Sequence, residues 1–125
     1  MPQLLKVTAA IICDTDKILL CQRPKEKRHG LLWEFPGGKV EPGESEEDCI
    51  VRECKEELDV ELEIIKKIDV IEADNISITY FKTKIVNGVL NKKEHNDIHW
   101  IKWSELSNYD LCPNDKKLTL RHNEI

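Results

Sequence analysis

The stretch Gly38–Val60, GKVEPGESEEDCIVRECKEELDV, decides how the rest of the chain is interpreted. The glycines and prolines of Pro36–Gly43 predict a loop. Ser45 follows as a candidate N-cap, and the three acids after it suit the positive end of a helix dipole. Apolar side chains then recur at helical spacing, at Ile50, Val51, Cys54 and Leu58. The segment therefore predicts a loop and an amphipathic helix that ends near Asp59.

Three carboxylates on this helix form the strongest candidate site. Glu53, Glu56 and Glu57 are spaced i, i+3, i+4, which places them within an arc of about 100° beside the apolar stripe. Carboxylates this close repel one another and raise each other's pKa. A hard divalent cation such as Mg²⁺ or Mn²⁺ would relieve the repulsion, because it prefers oxygen ligands. A solvated acidic helix face is the alternative, and the loop that precedes the helix favours the metal.

Composition and charge narrow the class of protein. The chain has 125 residues, 40% hydrophobic and 34% charged, which fits one domain over residues 1–125 with a modest core. It contains no apolar run of about 18 residues, so no membrane span is expected. A net charge of −5 argues against stable nucleic-acid binding. Residues 41–63 contain 11 acidic and 2 basic side chains, and this concentration again points to a metal.

The remaining pattern is mainly that of strands. Strands are predicted at five places: Lys6–Cys13, Lys17–Gln22, Val60–Ile71, Ile76–Val86 and Ile98–Trp103. Asn87-Gly88 is a turn signal, Ser104–Asn108 a short helical turn, and Pro113–Arg121 a second helix with Leu118 inward. Strands with one early and one late helix predict an α+β fold in layers.

The motif itself resembles the Nudix box. A glycine, a glutamate and an REUxEExGU segment stand in register with Gly38, Glu44 and the stretch Arg52–Val60. Two positions depart: Asp59 replaces the glycine and Cys54 a larger aliphatic residue. Asp59 is expected to fit a left-handed helix end less well than glycine does.

The resemblance implies an α/β/α sandwich with a mixed β-sheet and a catalytic loop–helix–loop. It also implies hydrolysis of nucleoside diphosphates linked to another group. Under it, Glu53, Glu56 and Glu57 are metal ligands, with the Gly37 carbonyl as a further one. Gly38, Glu44 and Arg52 have structural roles, the latter two as an ion pair that ties loop to helix. Glu53 is in addition a candidate general base.

The flanks resemble one part of that family. WEFPGGKVEPGES is similar to MutT-like enzymes and CTP pyrophosphohydrolases, which release pyrophosphate from free nucleoside triphosphates. This implies Mg²⁺, or Mn²⁺ in its place, as cofactor and a nucleoside triphosphate as the small-molecule substrate. Arg23 and Lys39 are then candidate phosphate ligands, and Lys25, Lys27 and Arg28 help to attract the substrate. Glu94 is a candidate to reach the metal or activate water.

The preferred base depends on Asn114. An amide offers a donor and an acceptor together, which suits an oxidised guanine, and the MutT-like pattern has asparagine at the matching place. The expected activity is therefore 8-oxo-dGTP hydrolysis, with a role in nucleotide-pool sanitation. A role as N-cap of the last helix is the alternative for Asn114. For the chain, the alternatives are a CTP or 5-methyl-dCTP pyrophosphohydrolase, a non-catalytic nucleotide-binding module, and a hydrolase of dinucleotides, ADP-ribose or RNA 5′ ends.

The cysteines and histidines show no ligand spacing. Five cysteines without a CxxC pair predict free core thiols, which suits a reducing compartment. The polar N-terminus Met1–Lys6 lacks a signal-peptide pattern, so a cytoplasmic location is expected. His29, His95, His99 and His122 are interpreted as without function. A monomer or a homodimer fits this length equally.

Overall fold

The computed structural model describes residues 4–125, so the first half of the Met1–Lys6 prediction lies outside the described residues. Its strands are β1 Leu5–Asp14, β2 Lys17–Gln22, β3 Trp33–Glu34, β4 Gly37–Lys39, β5 Val60–Ala73, β6 Ile76–Gly88 and β7 Asp97–Lys102. Its helices are α1 Glu46–Leu58, a 3₁₀ helix Trp103–Asn108 and α2 Pro113–Arg121.

The sheet is mixed, as expected. Its order is β3-β2-β1-β6-β5, with β4 added beside β1 and β7 beside β2. β1 and β6 are parallel, from the pair Leu5–Ile76 to the pair Ile12–Thr83, whereas the other named pairs are antiparallel. The central strand β1 therefore contacts both the loop before α1 and the long β5–β6 hairpin.

Helices cover both faces of this sheet. Alternate residues of β1 face opposite sides: Ile11 belongs to the core that contains Leu118 of α2, and Ile12 to the core that contains Leu58 of α1. Successive side chains of a strand point to opposite faces. Both isoleucines are completely buried, because a helix covers each face. The α/β/α sandwich expected from the sequence is confirmed.

Two local predictions were wrong. Gly37–Lys39 was expected within a loop but forms β4 against β1, with Gly38 opposite Thr8. A strand of two glycines and a lysine carries no apolar alternation, so nothing in its composition signals it. Asn87-Gly88 was expected to be a turn but lies within β6, where Gly88 has φ +95° and a Cβ would come within 2.6 Å of the Asp59 carbonyl oxygen.

The hairpin turn between β5 and β6 instead lies at Asp74 and Asn75. Both residues have positive φ, 53° and 64°, which matches the twist of a two-residue hairpin and which Asp and Asn tolerate better than most residues. Among the described residues, no helix is long and apolar enough to cross a membrane.

Candidate active site

The acidic helix α1 begins and ends in ways that fix its carboxylates. Ser45 is the N-cap, and its hydroxyl accepts a hydrogen bond from the Asp48 N–H at 3.0 Å. At the other end Asp59 adopts the left-handed conformation, φ 63° and ψ 32°, and its N–H donates to the Lys55 carbonyl. Asp59 therefore takes the backbone conformation that glycine usually supplies, and the helix ends as the motif requires.

Arg52 ties the loop to the helix. Its guanidinium donates to both carboxylate oxygens of Glu44, at 2.7 and 3.0 Å, and to the Lys39 carbonyl at 3.2 Å. The hydrogen bonds from Arg52, followed by that from the Glu41 N–H, lower the pKa of Glu44 to about 2. This geometry agrees with the expected structural ion pair, since a bidentate pair fixes both position and orientation.

Arg52 also contacts two of the three candidate metal ligands. Its Nη1 lies 2.9 Å from Glu53 Oε1 and 3.2 Å from Glu56 Oε2. Of the three candidate ligands, Glu57 alone is not paired with the Arg52 guanidinium. The three carboxylates therefore differ in charge compensation, which the spacing alone did not show.

Their burial differs as well. The side chain of Glu57 is 7% exposed, that of Glu53 18% and that of Glu56 56%. Glu57 Oε2 is buried and has no hydrogen-bond partner among the described residues. Burial, followed by the charges of Glu53 and Glu34, raises the pKa of Glu57 well above its ordinary value. A buried carboxylate oxygen without a partner is costly, so the site calls for a cation or a proton here.

Two glycines make room for this arrangement. A Cβ on Gly38 would lie 2.4 Å from the Glu53 carboxylate, and a Cβ on Gly37 would lie 1.9 Å from the Thr8 carbonyl oxygen. Gly38 therefore leaves space for a functional side chain, whereas Gly37 allows β4 to approach β1.

One cavity brings most of the predicted site residues together. Its volume is about 840 Å³. The predicted residues that line it are Arg23, Gly37, Gly38, Lys39, Glu53, Glu57 and Glu94. Of the predicted recruiting bases, Lys27 and Arg28 line it too. Acidic and basic side chains thus line one space large enough for a nucleotide.

Asn114 lies near this cavity but is not among the residues that line it. It sits inside the first turn of α2, whose N-cap is Cys112, so its alternative role as N-cap was wrong. Its Oδ1 is buried and has no hydrogen-bond partner in the described part of the chain. The next residue, Asp115, lines the cavity instead.

Sequence reasoning missed a second group of polar residues, of which Glu34 and Asp115 line the same cavity. The Glu34 and Asp115 carboxylates and the Cys112 thiol have atoms within 4.8 Å of one another. The Tyr80 hydroxyl donates to Asp115 at 2.8 Å, and Arg23 donates to Glu34 at 2.9 Å. Burial, followed by the charge of Glu34, raises the pKa of Asp115 to about 8. Asp115 stands beside Asn114 in the sequence, but nothing in the pattern indicated that it would meet Glu34.

His95 was also missed, because it was interpreted as without function. Its imidazole is 3% exposed and lies between two carboxylates, with Nε2 at 3.0 Å from Glu34 and 3.6 Å from Glu57. The only sequence signal was its position directly after Glu94.

Carboxylates of one helix that share a cavity with basic side chains are the arrangement expected of a hydrolase that acts on phosphoric anhydrides. A family model described as the NUDIX domain matches residues 3–122, and the chain belongs to the Nudix family. It is therefore a Nudix hydrolase, of the kind that acts on phosphoric anhydride bonds. Nudix hydrolases generally use divalent metal ions such as Mg²⁺.

Individual relatives agree with this assignment. The chain is 36% identical to the CTP pyrophosphohydrolase of Escherichia coli, over 90% of this chain and 87% of that one. It is 33% identical to the 8-oxo-dGTP diphosphatase of Proteus vulgaris, over 71% and 85%. A solved MutT structure, from a study of the Aliivibrio salmonicida and Vibrio cholerae proteins, aligns with a TM-score of 0.74 and 29% identity, over 94% and 98%. The resemblance drawn from the motif is confirmed.

Proposed function

We propose that this chain is a Mg²⁺-dependent nucleoside triphosphate pyrophosphohydrolase that releases pyrophosphate and a nucleoside monophosphate. The observation that carries the proposal is the buried, unpartnered Oε2 of Glu57 in a cavity that also holds Arg23 and Lys39. A triphosphate with its divalent cation would bring positive charge to the Glu57 carboxylate and phosphate oxygens to Arg23 and Lys39.

The residues present fit a hard divalent cation. Glu53, Glu56 and Glu57 offer carboxylate oxygens from α1, and of these Glu53 and Glu57 line the cavity together with Gly37. When bound, the cation neutralises phosphate oxygens and lowers the pKa of water. Arg52 holds Glu53 and Glu56 in place and makes no ion pair with Glu57.

The proton of the attacking water is proposed to go to one of two carboxylates, Glu53 or Glu94. Glu53 lines the cavity and is oriented by Arg52 Nη1. Glu94 is exposed at the cavity edge, close enough to Glu57 that its charge contributes to the raised pKa of that residue. Arg23 and Lys39 are proposed to hold the phosphate oxygens of the departing pyrophosphate.

For the base we propose oxidised guanine, so that 8-oxo-dGTP is the substrate and nucleotide-pool sanitation the role. The buried Asn114 Oδ1 is an acceptor without a donor, and the oxidised purine ring carries an additional N–H. The Proteus vulgaris relative is named for this substrate.

CTP or 5-methyl-dCTP is the second candidate, because Asp115 and Glu34 line the cavity where Asn114 does not. A carboxylate accepts from the exocyclic amino group of cytosine, and a protonated Asp115 donates to a ring nitrogen. The Escherichia coli relative is named for CTP.

One experiment separates the two bases. We would measure kcat/KM for 8-oxo-dGTP, dGTP, CTP and 5-methyl-dCTP in the wild type and in the Asn114→Ala and Asp115→Asn variants. The oxidised-guanine proposal expects the wild type to prefer 8-oxo-dGTP and Asn114→Ala to lose that substrate selectively, by about tenfold or more for a lost pair of polar contacts. A wild-type preference for cytosine nucleotides that Asp115→Asn abolishes would replace it with the second candidate.

A further inference from the structure

The segment that carries His95 is fixed at both ends by main-chain hydrogen bonds. The Asn91 N–H donates to the Leu58 carbonyl at 2.9 Å, and the Lys93 N–H donates to the Glu57 carbonyl at 3.2 Å. These carbonyls belong to the last turn of α1, where no intrahelical donor is available. Beyond His95, the Asn96 N–H donates to the Gln22 carbonyl at 2.9 Å. His95 is therefore held beside the helix end that presents Glu57.

The imidazole contacts two carboxylates through one nitrogen. Nε2 lies 3.0 Å from Glu34 Oε2 and 3.6 Å from Glu57 Oε1. A lone pair on this nitrogen would face two acceptors, so the ring proton belongs on Nε2, from which it is donated to Glu34. Nδ1 is then a buried acceptor, and it has no hydrogen-bond partner within residues 4–125.

The His95–Glu57 contact gives the two carboxylate oxygens of Glu57 different surroundings. Oε1 faces the imidazole, whereas Oε2 is buried and has no partner among the described residues. At 3.6 Å this second contact is electrostatic, because the N–H is donated to Glu34. The positive end of the N–H dipole favours Oε1 on this side of the carboxylate and leaves Oε2 free for a cation. Residues that orient metal ligands in this way affect metal affinity although they do not touch the metal.

Glu34 anchors the imidazole on its other side. Its Oε1 accepts from Arg23 at 2.9 Å, and its Oε2 faces His95. The order Arg23, Glu34, His95, Glu57 thus joins a candidate phosphate ligand to a candidate metal ligand through side chains that all line one cavity.

We propose that His95 is a positioning residue that orients the metal ligand Glu57 by placing its Nε2–H between Glu57 and Glu34. The inference rests on the proposed function, because it takes Glu57 as a metal ligand. It assigns no proton transfer to His95. The predicted effect is on cation affinity first and on turnover as a consequence.

The test measures Mn²⁺ binding without substrate, by the loss of the free-ion EPR signal on titration. His95→Phe keeps a flat ring but removes the N–H, and we expect its Mn²⁺ dissociation constant to rise by about tenfold. His95→Gln places an amide N–H near the position of Nε2 and should restore most of the affinity. His95→Asn is polar but too short to reach and should bind as weakly as His95→Phe, which covers the case in which the Phe variant does not fold.

His122→Phe is the matched control. It also removes an imidazole that pairs with a carboxylate, Asp69 at 2.9 Å, but it lies outside the cavity. Its Mn²⁺ affinity should equal that of the wild type. Thermal unfolding of each variant in EDTA reports whether it is folded.

Each outcome bears on a different claim. Wild-type Mn²⁺ affinity in folded His95→Phe or His95→Asn would overturn the role of His95, as would a Gln variant that binds as weakly as the others. If Glu57→Gln itself binds Mn²⁺ as tightly as the wild type, the metal site is misplaced and the proposed function fails with it. Loss of binding in Glu57→Gln with full binding in His95→Phe would overturn only this inference.

Discussion

At Glu57, burial and the surrounding carboxylates both disfavour the negative charge of the side chain. It is buried, faces Glu53, Glu34 and Glu94, and receives no contact from Arg52, which compensates its neighbours. Without a cation this carboxylate is destabilising, because its raised pKa means that the folded chain disfavours the ionised form. The same property makes it a strong ligand, because a divalent cation removes the cost.

Replacing Glu57 by Gln is expected to have opposite effects on stability and on turnover. In EDTA the melting temperature should rise, since the amide keeps the shape of the side chain without its charge. With Mg²⁺ the wild type should gain stability and the variant should not, because only a chain that binds the ion is stabilised by it. Turnover should fall by more than about 100-fold, the upper range for residues that only support a metal ligand.

Differential scanning calorimetry in EDTA and in Mg²⁺, combined with steady-state kinetics, checks both effects. The Glu53→Gln variant provides the comparison, because Glu53 is compensated by Arg52 and its replacement should cause a smaller rise of the melting temperature in EDTA. A Glu57→Gln variant with normal turnover would contradict the metal assignment.

At the scale of elements, the short strand β4 has two glycines with different tasks. A Cβ at Gly37 meets the backbone of β1 at 1.9 Å, which cannot move without loss of the sheet pairing. A Cβ at Gly38 meets the Glu53 carboxylate at 2.4 Å, which is the far end of a flexible side chain. One glycine therefore supports the sheet and the other the site.

Alanine substitutions are expected to separate these tasks. Gly37→Ala should lower the free energy of unfolding by about 1–3 kcal/mol, the usual cost of overpacking. Gly38→Ala should change it by less than about 0.5 kcal/mol, while Mn²⁺ affinity and turnover fall because Glu53 is displaced. Urea unfolding together with Mn²⁺ titration distinguishes them. Equal losses of stability in both variants would contradict the assignment.

At the scale of the whole molecule, Asp115 links the cavity to the pH dependence of stability. Its pKa rises from 3.8 to about 8 on folding, first because of burial and then because of Glu34. Between these values the folded chain keeps a proton that the unfolded chain has released. The contribution of Asp115 to stability is therefore lost as pH rises from about 4 to about 8.

Asp115→Asn should remove this part of the pH dependence. In EDTA, the free energy of unfolding of the wild type should decrease between about pH 5 and about pH 8 by more than that of the variant. Urea unfolding at the two pH values measures the difference. Parallel behaviour of both proteins would mean that Asp115 is ionised in the folded chain.

The sequence predicted those parts of the fold and site that depend on local periodicity and spacing. Helix α1 and the long strands follow from patterns within a few turns of chain, whereas the pairing of Glu44 with Arg52 came from the resemblance to the Nudix box. The strand β4 and the turn at Asp74 were not predicted. Whether a glycine segment pairs with a strand, and where a hairpin turns, depend on which segments of the chain meet in the fold. His95 and Asp115 were missed for the same reason, since their partners Glu57 and Glu34 are distant in sequence.

The roles of the individual site residues stay predictions, although the structure gathers most of them in one cavity. Glu56 and Asn114 do not line it, nor does the structural pair Glu44 and Arg52. The Glu56 side chain is 56% exposed beside Arg52. Nothing in helical spacing distinguishes an exposed carboxylate from a buried one on the same arc. Residues 91–95 contact Glu57, through the Lys93 N–H to its carbonyl and His95 beside its carboxylate, and these contacts are distant in sequence.

The identity of the inorganic product tests the proposed pyrophosphohydrolase activity most directly. The purified chain would be incubated with 8-oxo-dGTP and with CTP, with Mg²⁺ and with EDTA, and pyrophosphate and orthophosphate would be measured separately. We expect pyrophosphate and a nucleoside monophosphate with Mg²⁺, and neither product in EDTA or with Glu57→Gln. Release of orthophosphate, or no hydrolysis of any nucleoside triphosphate with Mg²⁺ or Mn²⁺, would contradict it.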